Sequence, residues 1–158
     1  LGESGDWRLM GDEFTLLDPA IGDALGFPRP VSLKNAAIAE MEARVPADRF
    51  GPLLQGTPKG DIRHMVPRAD ALAAMHEPAT PALILFPRFG DDLSVTRIAP
   101  SELFVRLTEA STNYALLGEA GFMALTRLVQ TVPAMAVSYP DSESGLQLVE
   151  QLWAEALA

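Results

Sequence analysis

The sequence of 158 residues contains no cysteine, and this absence removes several kinds of chemistry at once. Without thiols the chain forms no disulfide, has no thiolate nucleophile and offers no thiolate to a metal. It has only two histidines, isolated from each other in the sequence, so a zinc site is poorly supported as well. A chain without cysteine suits a reducing compartment, and we therefore expect a cytoplasmic protein.

Basic residues are also scarce. Twelve lysines and arginines stand against 21 aspartates and glutamates, which gives a formal net charge of -9. Nucleic-acid binding needs a positively charged surface to meet the phosphates, so this balance argues against DNA or RNA as a partner. No apolar run approaches the length that spans a bilayer, and the first six residues lack the pattern of a signal peptide. We expect no membrane partner.

Strand-like and helix-like segments alternate along the chain. Hydrophobic residues make up 48% of it, enough for one sizeable core, and we expect a single domain over residues 1–158. Short apolar or alternating runs predict strands at 14–17, 61–66, 82–86, 93–98 and 134–139. Apolar residues at helical spacing predict helices around 36–45, 70–75, 103–107, 116–129 and 146–152. The alternation predicts an α/β fold, a mixed sheet flanked by helices.

Some details of this prediction are specific enough to be tested. Ser101 and Asp141 are candidate N-caps of the helices that follow them. The segment 47–60 is rich in glycine and proline and reads as a long surface loop. The apolar side chains of Leu116, Phe122 and Met123 are expected in the core. Phe14 to Leu17 reads as a buried strand.

Asp12 and Glu13 stand at the entrance of the first apolar run. Adjacent carboxylates beside a buried strand are costly unless they are solvated or paired with a cation. A functional interpretation is magnesium coordination or general-base chemistry in phosphoryl transfer, since both need a carboxylate fixed by secondary structure. The alternative is a solvated strand end, which local sequence alone favours.

Cationic side chains recur in two segments. Arg29 and Lys34 lie in a proline-stiffened stretch, and Lys59 lies in a glycine-containing passage that also holds His64. Arginine and lysine bind phosphate oxygens, and a histidine titrates near neutrality. Each segment taken alone is also compatible with an ordinary solvent-facing turn or a structural histidine. Arg88 directly follows a predicted strand, a position that lines ligand crevices in α/β sheets.

The chain has no phosphate loop of the Gly-x-x-x-x-Gly-Lys-Ser/Thr type. The phosphate-handling side chains are therefore present without the cradle of backbone N–H groups that normally binds a nucleotide.

Several segments together resemble the HPr-kinase-related kinases, bacterial relatives of HPr kinase/phosphorylase. The resemblance extends over essentially the whole chain. The segments are GDEFTLLD at 11–18, FPRPVSLKN at 27–35, TPKGDIRH at 57–64, PRF at 87–89 and STNY at 111–114.

The resemblance implies a fold similar to the C-terminal domain of HPr kinase and to phosphoenolpyruvate carboxykinase, with its N-terminal part missing from these 158 residues. It also implies ATP and Mg²⁺ as cofactors. The phosphate loop would lie shortly before Leu1, so the 158 residues alone are expected to be inactive. Relatives of this kind phosphorylate a hydroxyl, and the implied acceptor is a serine of a small protein or peptide. A homo-oligomer is conceivable.

The resemblance also assigns roles to residues. Asp12 resembles the acidic residue that serves as base or magnesium ligand, and Glu13 occupies the neighbouring acidic position. Arg29, Lys34 and Lys59 are candidates for phosphate contact or acceptor positioning. The alternative to a kinase is a non-catalytic binding or scaffold domain that retains the kinase fold.

Overall fold

The computed structural model describes residues 1–3 and 7–156, and these form a mixed α/β structure, which confirms the predicted class. The chain divides into two units, Leu1–Leu16 with Leu25–Pro78 and Leu17–Ala24 with Ala79–Ala158. It passes between them within two short strands, β1 (Leu16–Leu17) and β2 (Ala24–Leu25). Among the described residues, no helix combines the length and apolar character that crossing a bilayer requires.

The first unit is built on a three-stranded antiparallel sheet in the order β3-β5-β4. Its elements are β3 (Val31–Lys34), α1 (Ala36–Glu42), a 3-10 turn (Ala47–Arg49), β4 (Phe50–Thr57), β5 (Gly60–Met65) and α2 (Ala69–Ala73). Side chains alternate between the faces of a strand. Leu33 and Met65 therefore share the face that packs on Ile38 of α1, and the opposite face carries Ser32 and His64.

The predicted surface loop at 47–60 is wrong, because most of it is strand β4. Proline lacks an N–H, yet Pro52 is tolerated because β4 is an edge strand and its pairing shifts between Phe50 and Leu53. A second shift contains Gly56, whose φ of 65° suits an irregularity in the ladder. Glycine and proline therefore mark bulges here and not a loop.

The second unit has a mixed sheet in the order β6-β8-β7, with β6 parallel and β7 antiparallel to the central β8. Its elements are β6 (Ile84–Phe89), β7 (Ser94–Arg97), α3 (Pro100–Ala110), α4 (Tyr114–Leu117), α5 (Glu119–Thr131), β8 (Ala134–Tyr139) and α6 (Ser142–Ala156). Leu103 of α3 packs on one face of this sheet, and Leu148 and Leu152 of α6 pack on the other.

Several side-chain placements differ from the sequence prediction. Leu116 is 89% exposed, and Phe122 and Met123 are also exposed, because Gly118 with a φ of 53° ends α4 and starts a separate helix. Phe14 is exposed and lies outside any strand. The N-cap of α3 is Ala99 and not Ser101, since a proline takes the first helical position, where its missing N–H costs nothing.

Asp141 is the N-cap of α6, as predicted. Its Oδ1 accepts a hydrogen bond of 2.8 Å from the backbone N–H of Ser144, and this bond lowers the pKa of the Asp141 carboxyl. A lowered folded-state pKa stabilises the fold above the unfolded-state pKa, and the contribution is lost as pH falls through the folded-state value.

We expect Asp141→Ala to lower the thermal midpoint by about 2–5 °C at pH 7, because the cap is lost. The difference from wild type should shrink as pH falls below the ordinary carboxyl pKa, and circular dichroism melts at several pH values measure it. Asp141→Asn is the matched control, since it keeps a capping oxygen that does not titrate. An equal loss from Asn and Ala would contradict the capping role.

Candidate active site

A cavity of about 280 Å³ in the first unit gathers four of the residues that the sequence singled out. These are Asp12, Glu13, Arg29 and His64. The remaining lining residues are apolar or hydroxyl-bearing: Phe14, Phe27, Pro30 and Ser32. Three separate parts of the sequence thus meet at one place.

The register of the sheet explains why the segment around Arg29 meets the one around His64. Ser32 of β3 lies opposite His64 of β5. Three positions farther along, the N–H of Asn35 donates a hydrogen bond to the carbonyl of Asp61. Hydrogen-bonded and non-hydrogen-bonded pairs alternate in an antiparallel ladder, and by this count Ser32 and His64 form a non-hydrogen-bonded pair. Their side chains are close, and the N–H of Ser32 points outward from the edge of the sheet.

Asp12 occupies that outward position. Its Oδ2 accepts a hydrogen bond of 3.1 Å from the N–H of Ser32, so one carboxylate oxygen is fixed against the edge of β3. The segment is further held by a hydrogen bond of 2.6 Å from the N–H of Phe27 to the carbonyl of Met10. A Cβ at Gly11 would lie 2.4 Å from the carbonyl oxygen of Phe14, so the tight turn that presents Asp12 requires glycine.

Three further side chains in the cavity have unused hydrogen-bonding capacity. Within the described part of the chain, no hydrogen bond or ion pair engages the side chains of Glu13, Arg29 or His64. The Arg29 guanidinium lies over the ring of Phe27, 5.9 Å from its centroid. A cation on an aromatic face keeps its in-plane N–H donors available. The cavity therefore presents carboxylates, a guanidinium and an imidazole to a ligand.

Lys34, Lys59 and Arg88 do not line this cavity. Lys34 pairs in register with Ile62, farther along the sheet toward the β4–β5 turn. Lys59 lies in that turn, where its N–H donates to Thr57 Oγ1 at 3.2 Å. Arg88 belongs to the second unit and lines a different cavity there.

The donor set permits a magnesium ion of the kind that phosphoryl transfer uses. Residues 1–3 and 7–156 contain no group of three or more acidic, histidine or cysteine side chains able to hold a metal. Mg²⁺ commonly binds one or two carboxylates and completes its shell with water and substrate phosphates. Asp12 and Glu13 are the residues that would hold such an ion, which would bring positive charge to a bound phosphate.

The sequence analysis did not single out Ser32, Phe14 or Phe27 as residues of this site, although all three line the cavity. For Ser32 a signal existed, because residues 31–34 alternate apolar and polar as a half-exposed strand does. No comparable signal marks Phe14 and Phe27, because the chain is irregular at both positions.

Comparisons of the chain with family models, with curated proteins and with solved structures found no match.

Proposed function

We propose that this chain is part of an ATP-dependent kinase that transfers a phosphoryl group to a hydroxyl, with a serine of a small protein or peptide as the acceptor. The observation that carries the proposal is the convergence of Asp12, Glu13, Arg29 and His64 in one cavity. The sequence resemblance independently assigns Asp12 and Glu13 to phosphoryl transfer.

Asp12 and Arg29 have roles that their geometry supports. Asp12 has one oxygen held by Ser32 and a second oxygen that receives no hydrogen bond from the described residues. That second oxygen would accept the proton of the acceptor hydroxyl or hold the magnesium ion. Arg29 would contact phosphate oxygens through its guanidinium fork. These contributions are positioning and charge neutralisation, which dominate catalysis of phosphoryl transfer.

The proposal requires a phosphate loop, which the 158 residues do not contain. The test therefore uses the longest protein that the gene encodes. We expect radiolabel to pass from γ-³²P-ATP, in the presence of Mg²⁺, to serine peptides of an arrayed library. Absence of transfer to any peptide, together with no calorimetric binding of Mg-ATP, would overturn the kinase proposal.

The alternative is a non-catalytic binding or scaffold domain, and one observation favours it. The hydrogen bond between the N–H of Ser32 and Asp12 covers an outward group of an edge strand, which is a structural task. In that case Asp12 would stabilise the edge of the sheet, and no phosphoryl transfer would depend on its charge. The same calorimetric and transfer measurements separate the two functions.

A further inference from the structure

A second cavity, of about 580 Å³, lies in the other unit and shares no lining residue with the one around Asp12. Two arginines line it, Arg88 and Arg106. Hydroxyl side chains also line it: Ser94, Thr96 and Ser138. Cavities of this size suit small-molecule ligands.

The register of the mixed sheet builds this cavity. Arg88, Ser138 and Ser94 lie side by side across β6, β8 and β7. The neighbouring row across the same three strands consists of Phe86, Ala136 and Thr96. Each of these residues is two positions away from its counterpart in the first row, so the two rows share one face of the sheet.

Along this face the sheet changes from apolar to polar. At the start of β8, Ala134 is buried with Leu103 of α3. Arg88 and Ser138 lie on the same face, close to the carboxyl ends of the parallel strands β6 and β8. Ligand sites in α/β sheets concentrate at such carboxyl ends.

Arg106 is held in place while keeping donors for a ligand. Its Nε and Nη2 donate to Glu102 Oε1 at 3.0 and 2.6 Å, and its guanidinium lies over the Phe86 ring at 5.0 Å from the centroid. No residue of the described chain accepts a bond from its Nη1. A guanidinium fixed in this way loses little side-chain entropy when it binds an anion.

Arg88 contributes a second guanidinium. Its Nε lies 2.7 Å from Asp91 Oδ2, and its two Nη groups have no partner among the described residues. The side chain is 80% exposed, so an incoming ligand reaches it directly. Asp91 offsets part of the charge and orients the fork.

The serine and threonine hydroxyl groups form a polar surface on this face of the sheet. Ser138 is only 9% exposed, and its Oγ donates to the carbonyl of Asp92. Ser138 has one hydroxyl hydrogen, so the contact of 2.7 Å with Ser94 is a bond that Ser94 donates. Thr96 Oγ1 has no partner within the described residues and remains available as a donor.

We propose that this cavity binds the phosphate group of a small phosphorylated molecule, with Arg88 and Arg106 as the anion-binding pair and Thr96 as a further donor. Guanidinium groups match the oxygens of phosphate with charge-assisted hydrogen bonds. The rest of the cavity, which Phe86 and Ala136 also line, would accommodate the organic part of the ligand. The proposal is independent of the kinase function.

The test is an NMR titration of the ¹⁵N-labelled 158-residue protein with inorganic phosphate, and with acetate at matched ionic strength. We expect a phosphate Kd on the order of 1 mM, with shifts confined to the Arg88 and Arg106 Nε–H groups and to amides of β6, β7 and β8. Acetate should bind at least about tenfold more weakly, because it offers fewer oxygens.

Arg88→Gln and Arg106→Gln should each weaken phosphate binding about tenfold or more. Arg97→Gln is the matched control, since Arg97 lies on β7 but outside the cavity. Arg88 is so exposed that its variant will fold even if the Arg106 variant does not, and the spectra report folding directly. Equal losses in all three variants, equal affinity for acetate, or shifts elsewhere would overturn the proposal.

Discussion

Asp12→Asn is expected to reduce phosphoryl transfer by about 10²–10⁴-fold, the range that a general base contributes. The substitution removes a negative charge and a proton acceptor, while the asparagine oxygen can still accept the hydrogen bond from the N–H of Ser32. The fold should therefore remain intact. The measurement is initial velocity with Mg-ATP and a transferable serine peptide, in the longest protein that the gene encodes.

The kinetic pattern separates the two roles of Asp12. If Asp12 is the general base, kcat of the Asp12→Asn variant should fall while its affinity for Mg-ATP is retained. If Asp12 is a magnesium ligand, the variant should also bind Mg-ATP more weakly. Asp48→Asn is the control, because Asp48 is an exposed acid of the same unit outside the cavity. An unchanged rate of phosphoryl transfer in Asp12→Asn would show that the carboxylate has only a structural role, as acceptor of the hydrogen bond from Ser32 of β3.

Leu103→Ala is expected to destabilise the protein by about 2–5 kcal/mol. Leu103 is 1% exposed and packs against Ile98 and Ala134 in the core between α3 and the mixed sheet. Removing its side-chain carbons loses burial and leaves a cavity that neighbouring residues fill only partly. Urea unfolding followed by circular dichroism measures the change.

Leu116→Ala provides the comparison for Leu103→Ala. Leu116 also lies in a helix of the second unit but is 89% exposed. Its loss should change the free energy of unfolding by no more than about 0.5 kcal/mol. Similar effects from the two substitutions would contradict the burial of Leu103 and the exposure of Leu116.

The sequence was informative where local chemistry decides the structure. The predicted strand at 134–139 matches β8, and the Asp141 cap starts α6. Both depend on neighbouring residues, an apolar run for the strand and a capping oxygen for the helix.

Prediction failed where the pairing of strands or the interruption of a helix decides the structure. β4 was missed because Pro52 and Gly56 usually mark loops, and only pairing with β5 makes them part of a strand. Leu116 was expected in the core because periodicity does not reveal where a helix is interrupted, and Gly118 separates α4 from α5.

Four of the eight residues that line the cavity could be selected from the sequence, whereas their arrangement in space could not. Asp12, Glu13, Arg29 and His64 were all selected from their chemistry, and the structure gathers them. Their convergence depends on the register that sets Ser32 opposite His64, which no local pattern specifies. The same register leaves Lys34 and Lys59 outside the cavity, although they stand in the same sequence segments.

The path of the chain between β1 and β2 has a practical consequence. Residues 17–24 belong to the second unit although they precede most of the first, and Ala24 bridges to Ala79 while Ala20 accepts a bond from Arg127. A fragment of residues 79–158 would lack the segment 17–24 and these contacts. A fragment of residues 1–78 would contain that segment but not its partners Ala79 and Arg127. Dissection at residue 78 thus yields two incomplete polypeptides, and co-expression of both fragments becomes the sensible complementation experiment.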